Sequence, residues 1–243
     1  MRSSIKGMRL SKTLLAVLIF AAPALGFAEK GKTLCPSQIP PKRDFPKGLT
    51  VSDVSQKVEE AQAGAQDAQM NLEMEMKDTL SGAQQKTKGA IKIKSPDKVY
   101  VHYTQPEEQF LYAEGSLVRM YQPSQKIVYE QHSAKGQEAT PLYVGVGKQL
   151  KQYISVSKVS LIKDTDSEVG LLLIAKDGMS AGFDRMKVFI HKKDWWPYQM
   201  EVETPSMNSK VRFSDFSFNK GLKEDLFKFT PPKGVRVEEG SVF

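Results

Sequence analysis

Three histidines, one cysteine and the adjacent glutamates Glu107 and Glu108 are the side chains in this 243-residue chain best suited to chemistry. His102, His132 and His191 lie far apart, with no Cys, Asp or Glu at metal-ligand spacing around them. Each reads as a residue on the face of a separate strand, and no metal is expected. Cys35 follows a run of lysine and glycine and precedes Pro36, a poor setting for a nucleophile, and as the single cysteine it excludes an internal disulfide. Glu107 and Glu108 are neighbours on a turn, so their carboxylates diverge into solvent instead of sharing a proton. No Gly-x-Ser-x-Gly elbow, phosphate-binding glycine loop or zinc motif is present. The expectation is a protein that binds without catalysing, with no cofactor.

What the chain offers in place of reactive groups is apolar surface. Met70, Leu72, Met74 and Met76 alternate with Asn71, Glu73, Glu75 and Lys77. That period of two predicts a strand with one apolar face, although Leu, Met, Glu and Lys all favour helix. Methionine is flexible and polarizable and suits a surface that must adapt to variable apolar shapes, though ordinary core packing would use it too. From Gly89 to His132, short β-branched and aromatic runs alternate with breaks at Ser95-Pro96-Asp97, Gln105-Pro106-Glu107, Glu114-Gly115 and Pro123-Ser124. This spacing predicts a five-stranded antiparallel meander. Val99–Tyr103 and Phe110–Ala113 are apolar or aromatic on both faces, so the sheet is either covered on both sides or covered on one and reserved for a ligand on the other.

Elements before and after the meander must hold this surface. Residues 1–28 carry Arg2, Lys6, Arg9 and Lys12 ahead of the apolar run Thr13–Leu25, then small residues at Gly26 and Ala28. That pattern is a secretory signal peptide cleaved near Ala28. Removing it lowers the formal charge from +7 to +3, and no dense basic patch argues for nucleic acid. Residues 29–49, with four prolines among their lysines, read as a flexible leader in which Cys35 is unmodified. Residues 50–243 form the folded domain. Val51, Val54, Val58 and Ala61 recur at helical spacing behind a Thr50/Asp53 capping box, in a helix that either packs on the sheet or covers a cavity. A second helix is predicted from Thr140-Pro141 through Val144 to Leu150, weakened by Gly145 and Gly147. Strands follow at Val156–Ile162, Val169–Ala175, Met186–His191, Tyr198–Glu203 and Lys210–Phe218, the last changing phase near Asp215. Phe227-Lys-Phe229 is short, and Pro231–Val235 closes the domain.

Lys98-Val-Tyr-Val-His-Tyr-Thr-Gln-Pro106, then Glu114-Gly115 and Leu117–Tyr121, resemble the LolA family of periplasmic lipoprotein carriers. The closing run strengthens the resemblance: Lys210-Val-Arg-Phe213, Asn219, Gly221-Leu222, and Asp225-Leu-Phe-Lys-Phe-Thr-Pro-Pro-Lys-Gly-Val235. It covers Val51 to Glu239. It implies an open, incomplete antiparallel β-barrel, mainly β with α, whose helices act as a lid over an apolar cavity. It also implies a monomeric carrier that takes acylated lipoproteins from an inner-membrane lipoprotein-releasing transporter and passes them to an outer-membrane acceptor. The expected acyl-binding residues are Val54, Leu72, Met74, Met76, Ile91, Ile93, Val101, Leu111, Met120, Val128 and Val144. One position departs from the pattern. The family's turn after the second strand carries an arginine before its proline, which helps hold the lid closed, and here that position is Ser95. The alternative reading is a periplasmic sensor or regulatory module that uses the same fold to detect lipids or lipoproteins.

Overall fold

Helix α1 (Val51–Ala63) starts where the sequence places it. The Thr50 hydroxyl accepts from the Asp53 amide (3.2 Å) and the Asp53 carboxylate accepts from the Thr50 amide (2.8 Å), so two otherwise unpaired donors are satisfied reciprocally. Gly64 ends it, donating to the Glu60 carbonyl at 3.1 Å. Val54 and Val58, one turn apart, are fully buried. The computed structural model describes residues 48–132, 146–176 and 182–240, so the expected signal peptide, the leader with Cys35, and Thr140–Gly145 lie outside the described residues.

Twelve strands make one sheet. In chain order they are β1 (Asp67–Asp78), β2 (Gln84–Lys94), β3 (Lys98–Gln105), β4 (Gln109–Glu114), β5 (Leu117–Gln122), β6 (Ile127–His132), β7 (Ser157–Asp164), β8 (Glu168–Ala175), β9 (Arg185–His191), β10 (Pro197–Glu203), β11 (Met207–Phe218) and β12 (Arg236–Glu239). Helix α2 (Val146–Ser155) precedes β7. The spatial order is β12-β6-β5-β4-β3-β2-β1-β11-β10-β9-β8-β7. All pairings are antiparallel except β12 with β6. β7 and β12 do not meet, so the barrel stays open.

Because side chains alternate along a strand, the register assigns every residue to a face. Leu72 pairs with Gly89 and Phe213, Met74 with Thr87 and Val211, and Ile91 with Met70 and Val101. The row continues from Val101 through Leu111 and Met120 to Tyr129. In the other direction Val211 leads through Met200, Val188 and Leu171 to Leu161. This is the inner face, the one on which α1 rests its valines. Two irregularities keep it continuous. At Asp215 (φ 55°) the β1–β11 register shifts, so Phe216 and Phe218 face the same way as Val211 and Phe213. At Lys88/Gly89 a second shift brings β3 so close that a Cβ on residue 89 would lie 2.5 Å from the His102 carbonyl oxygen, which only glycine permits.

The outer face of β3–β5 is aromatic. Phe110 stacks on His102 (4.6 Å between centroids) and Tyr121 (6.1 Å), and Tyr100 leans on Tyr112 (5.2 Å). The C-terminal segment crosses this face, setting Phe229 against Tyr112 (4.8 Å) and Tyr121 (5.5 Å). The two-sided apolar strands are therefore covered on both sides. Phe227-Lys-Phe229 is not a strand but an irregular stretch after a 3₁₀ turn at Glu224–Leu226. Nor does the domain close at Val235: β12 follows it. All four β12 residues are exposed, so the burial that writes an alternating pattern into a sequence is lacking there.

Candidate lipid-binding face

Eight of the expected residues come together on the inner face: Leu72, Met74, Met76, Ile91, Ile93, Val101, Leu111 and Met120, with Val54 of α1 packed in the same cluster. Val128 is a correction. It is fully buried, but it pairs with Tyr121 on the outer face, beside the ring that rests on Phe229. Ile127 and Val128 are both apolar, so local alternation could not choose between them, and the register turns Ile127 and Tyr129 inward. Val144 lies outside the described residues.

Sequence reasoning passed over half the wall. Val169, Leu171 and Leu173 of β8, Met186, Val188 and Ile190 of β9, and Met200 of β10 line the inner face and are fully buried. The β9 residues alternate with Lys187, Phe189 and His191, a period of two that marks the face. β8 carries no such signal, since Leu172 on its other face is also buried. Six of the ten methionines, Met70, Met74, Met76, Met120, Met186 and Met200, are buried on the inner face and Met207 packs beside them, which makes the wall deformable at many points.

The central rows of the inner face, from Tyr129 on β6 across to Leu161 on β7, carry no charged side chain. Ion pairs that link neighbouring strands lie on the other side. Glu73–Lys88 (2.9 Å), Glu75–Lys86 (3.0 Å), Arg119–Glu130 (2.6 Å) and Lys187–Glu201 (3.0 Å) cross adjacent strands there. A cleft of about 340 Å³ at the β1–β2 and β10–β11 ends is lined by Glu75, Lys77, Lys86, Glu201, Glu203 and Lys210 together with Met76, Gln85 and Val202, so its lining mixes charged and apolar groups. The histidines stay apart: His102 stacks on Phe110 and reaches Glu108 (3.0 Å), while His191 stacks on Tyr198 (4.0 Å). Among the described residues no group of three or more His, Cys, Asp or Glu is placed to hold a metal. The inner face can bury hydrocarbon, and its central rows present no acid or base.

Two helices occupy that face. Val54 and Val58 of α1 and Leu150 and Tyr153 of α2 all belong to the inner cluster. Polar ties are few: at the end of α2 the Lys176 ammonium donates to the Ser155 carbonyl (2.8 Å). Lys57 lies 5.1 Å over the Trp195 ring, and an exposed Glu59–Lys151 pair at 3.6 Å joins the helices. Exposed pairs of this kind add little stability. Ser95, where the family's arginine was expected, is exposed. Its amide donates to the Gln66 carbonyl (2.9 Å), so a backbone bond holds this turn to the α1–β1 link.

A corner that sequence reading missed fixes the root of α1. Asp67 is 95% buried, and its carboxylate accepts from the amides of Lys220 (2.8 Å), Gly221 (2.8 Å) and Leu222 (3.0 Å). Burial pushes its pKa up, but those three amides, with Lys94 nearby, outweigh it and hold the carboxyl below its usual range. Asn219 (φ 54°) accepts from the Gln66 amide (2.8 Å) and donates to the Gly64 carbonyl (3.3 Å). Lys98 and Lys94 bracket Glu224 and pull its pKa down to about 2.

A family described as "Outer membrane lipoprotein carrier protein LolA" matches residues 65–230, from the start of β1 to the segment over the outer face. The chain belongs to the LolA family. The Asn219–Leu222 run of the family resemblance is the part that cages Asp67. Among LolA relatives, an outer-membrane lipoprotein carrier protein of Methylibium petroleiphilum is 26% identical over 162 residues, 64% of this chain and 75% of its own length. An uncharacterized protein of Methanocaldococcus jannaschii is 22% identical over 149 residues, 60% of this chain but 41% of that protein. A crystal structure of an uncharacterized conserved protein from Thermus thermophilus superposes with a TM-score of 0.53 at 12% identity, covering 79% of this chain and 100% of that one. It shares the fold.

Proposed function

We propose that this protein is a periplasmic carrier of acylated lipoproteins, in which residues 50–243 shield the acyl chains between the inner and outer membranes. The observation that carries the reading is the inner face itself. It is apolar, methionine-rich, uncharged through its central rows, and covered by helices held mainly through apolar contact.

The magnitudes favour exchange over storage. Docking Val54, Val58, Leu150 and Tyr153 is worth roughly 1.5–3 kcal/mol each, about 6–12 kcal/mol together. A saturated chain of about sixteen carbons gains about 0.8 kcal/mol per buried methylene, or about 12 kcal/mol. An acyl chain can therefore replace the helices at little net cost, and the helices can expel it when an acceptor offers another apolar site. Loading would come from an inner-membrane lipoprotein-releasing transporter and unloading at an outer-membrane acceptor.

Depletion tests this in the native cell. Outer-membrane lipoproteins should accumulate in the inner membrane, and protein recovered from its own periplasm should carry acylated species by native mass spectrometry. Normal lipoprotein sorting after depletion, with only ligand-free protein recovered, would overturn the reading.

A further inference from the structure

Four buried side-chain polar atoms among the described residues have no hydrogen-bond partner: Gln85 Nε2, Thr87 Oγ1, Gln109 Oε1 and Ser157 Oγ. The register places all four on the inner face. Gln85 lies opposite Met76 and Thr87 opposite Met74. Thr87 is 1% exposed, so water does not satisfy its hydroxyl from bulk. Leaving such a group unpaired carries its full desolvation penalty, and valine would fill nearly the same volume without it. Buried polar atoms without partners call for an explanation, and a bound group that supplies the missing bond is one.

The two residues stand two apart on one strand face, which sets them about 7 Å from each other. The last β3 residue paired with β2 is Gln105, opposite Lys88, so Gln85 and Thr87 lie beyond the end of β3. A hydrocarbon cannot accept from an amide or a hydroxyl; an ester or amide carbonyl can. From Thr87 the inner face continues without charge along Met74, Leu72 and Met70.

We infer that Gln85 and Thr87 form a polar subsite at one end of the inner face, which takes the acyl carbonyls of an ester- or amide-linked lipid whose chains run along Met74 and Leu72. The inference rests on the carrier reading and narrows it: the ligand is recognised at its ester or amide head as well as along its chains. Gln85 Nε2 and Thr87 Oγ1 each donate to one carbonyl oxygen, and no bond is made or broken.

The test compares a diester glycerolipid with the dialkyl-ether lipid of the same chain lengths and headgroup, which lacks both carbonyls. Each is titrated by calorimetry into the mature full-length chain. The wild type should bind the diester at least about tenfold more tightly, since two hydrogen bonds of about 1 kcal/mol each are at stake. In the Gln85→Leu/Thr87→Val double variant the ratio should collapse toward one. If the double variant does not fold, Thr87→Val alone, nearly isosteric, should still reduce the ratio by about threefold or more. Equal affinities in the wild type, or an undiminished ratio in the variants, would overturn the subsite and leave the carrier reading standing. Binding of neither lipid would overturn the carrier reading, and the subsite with it.

Discussion

On the proposed carrier function, helix α1 and an acyl chain compete for the same apolar wall, so weakening the helix should strengthen the ligand. Val54 and Val58 are both fully buried against the inner face. Replacing both with alanine deletes four carbon atoms from that contact. At about 0.8 kcal/mol per carbon group, α1 docking weakens by about 3 kcal/mol, before any further loss from the cavities left behind. The folded, ligand-free protein bears all of that loss. A ligand-bound form in which α1 has lifted off bears none of it. Acyl-lipid affinity should therefore rise by up to about 100-fold, at 1.4 kcal/mol per factor of ten, while thermal stability falls by about 5–10 °C. Titration calorimetry with a long-chain acyl lipid, beside thermal unfolding of the free protein, measures both quantities on one preparation. Opposite signs are the signature of a plug. An affinity that falls together with stability would show that the valines contact the ligand, and would refute competition between helix and lipid.

Two further perturbations bear on the scaffold. Asp67→Ala removes the acceptor for three amides and should destabilise the protein by about 2–4 kcal/mol at neutral pH, measured by urea unfolding. Because the native-state pKa of Asp67 is depressed, its contribution is complete above the ordinary carboxylate pKa and lost as pH falls through the lower native value; a gap between wild type and variant that persists unchanged at acid pH would refute the assignment. Gly89→Ala forces a Cβ to within 2.5 Å of the His102 carbonyl, a backbone atom that cannot swing away, and should cost about 2 kcal/mol in the same assay. An unchanged urea midpoint would mean that the β2–β3 approach is looser than the geometry requires.

Much of this fold was written in local patterns. Thr50 and Asp53 announce α1 because capping is a contact between near neighbours in sequence. Met70–Met76 declare their strand because one face meets the core and the other meets water. The change of phase at Asp215 was visible as well, since Val211 and Phe213 have odd positions and Phe216 and Phe218 even ones; the register shift is its physical cause. What failed were features decided by distant contacts. Val128 was placed inward because Ile127 and Val128 are indistinguishable until a segment roughly a hundred residues later covers one face with Phe229. β8 is buried on both faces, and burial on both faces erases alternation. Asp67 carries no local signal, because its role depends on three amides more than 150 residues away. Of the candidate site, the half built from α1 and β1–β5 was therefore legible, and the half built from β8–β10 was not.

The sheet has two apolar faces, and the way each is covered separates them functionally. Over the outer face the cover is tied at both ends. At one end Lys94 donates to the Leu222 carbonyl (2.7 Å), Lys94 and Lys98 pair with Glu224, and Asp67 holds the preceding amides. At the other, β12 pairs with β6 from Arg236 to Glu239. Lifting that segment would break backbone bonds and ion pairs together, so Phe227 and Phe229 stay down. Over the inner face, the described helices set four buried apolar side chains, with Lys57 over Trp195, an exposed ion pair, the Tyr153–Phe183 ring contact and the Lys176 ammonium on the Ser155 carbonyl (2.8 Å) beside them. Nearly all of their attachment is hydrophobic, and a hydrocarbon chain can replace it in kind where nothing apolar could replace a backbone ladder. On the proposed carrier function, the cover a lipid would displace lies over the face with the methionines, and the cover tied by backbone bonds and ion pairs lies over the aromatic face, which makes the inner face the one suited to exchange.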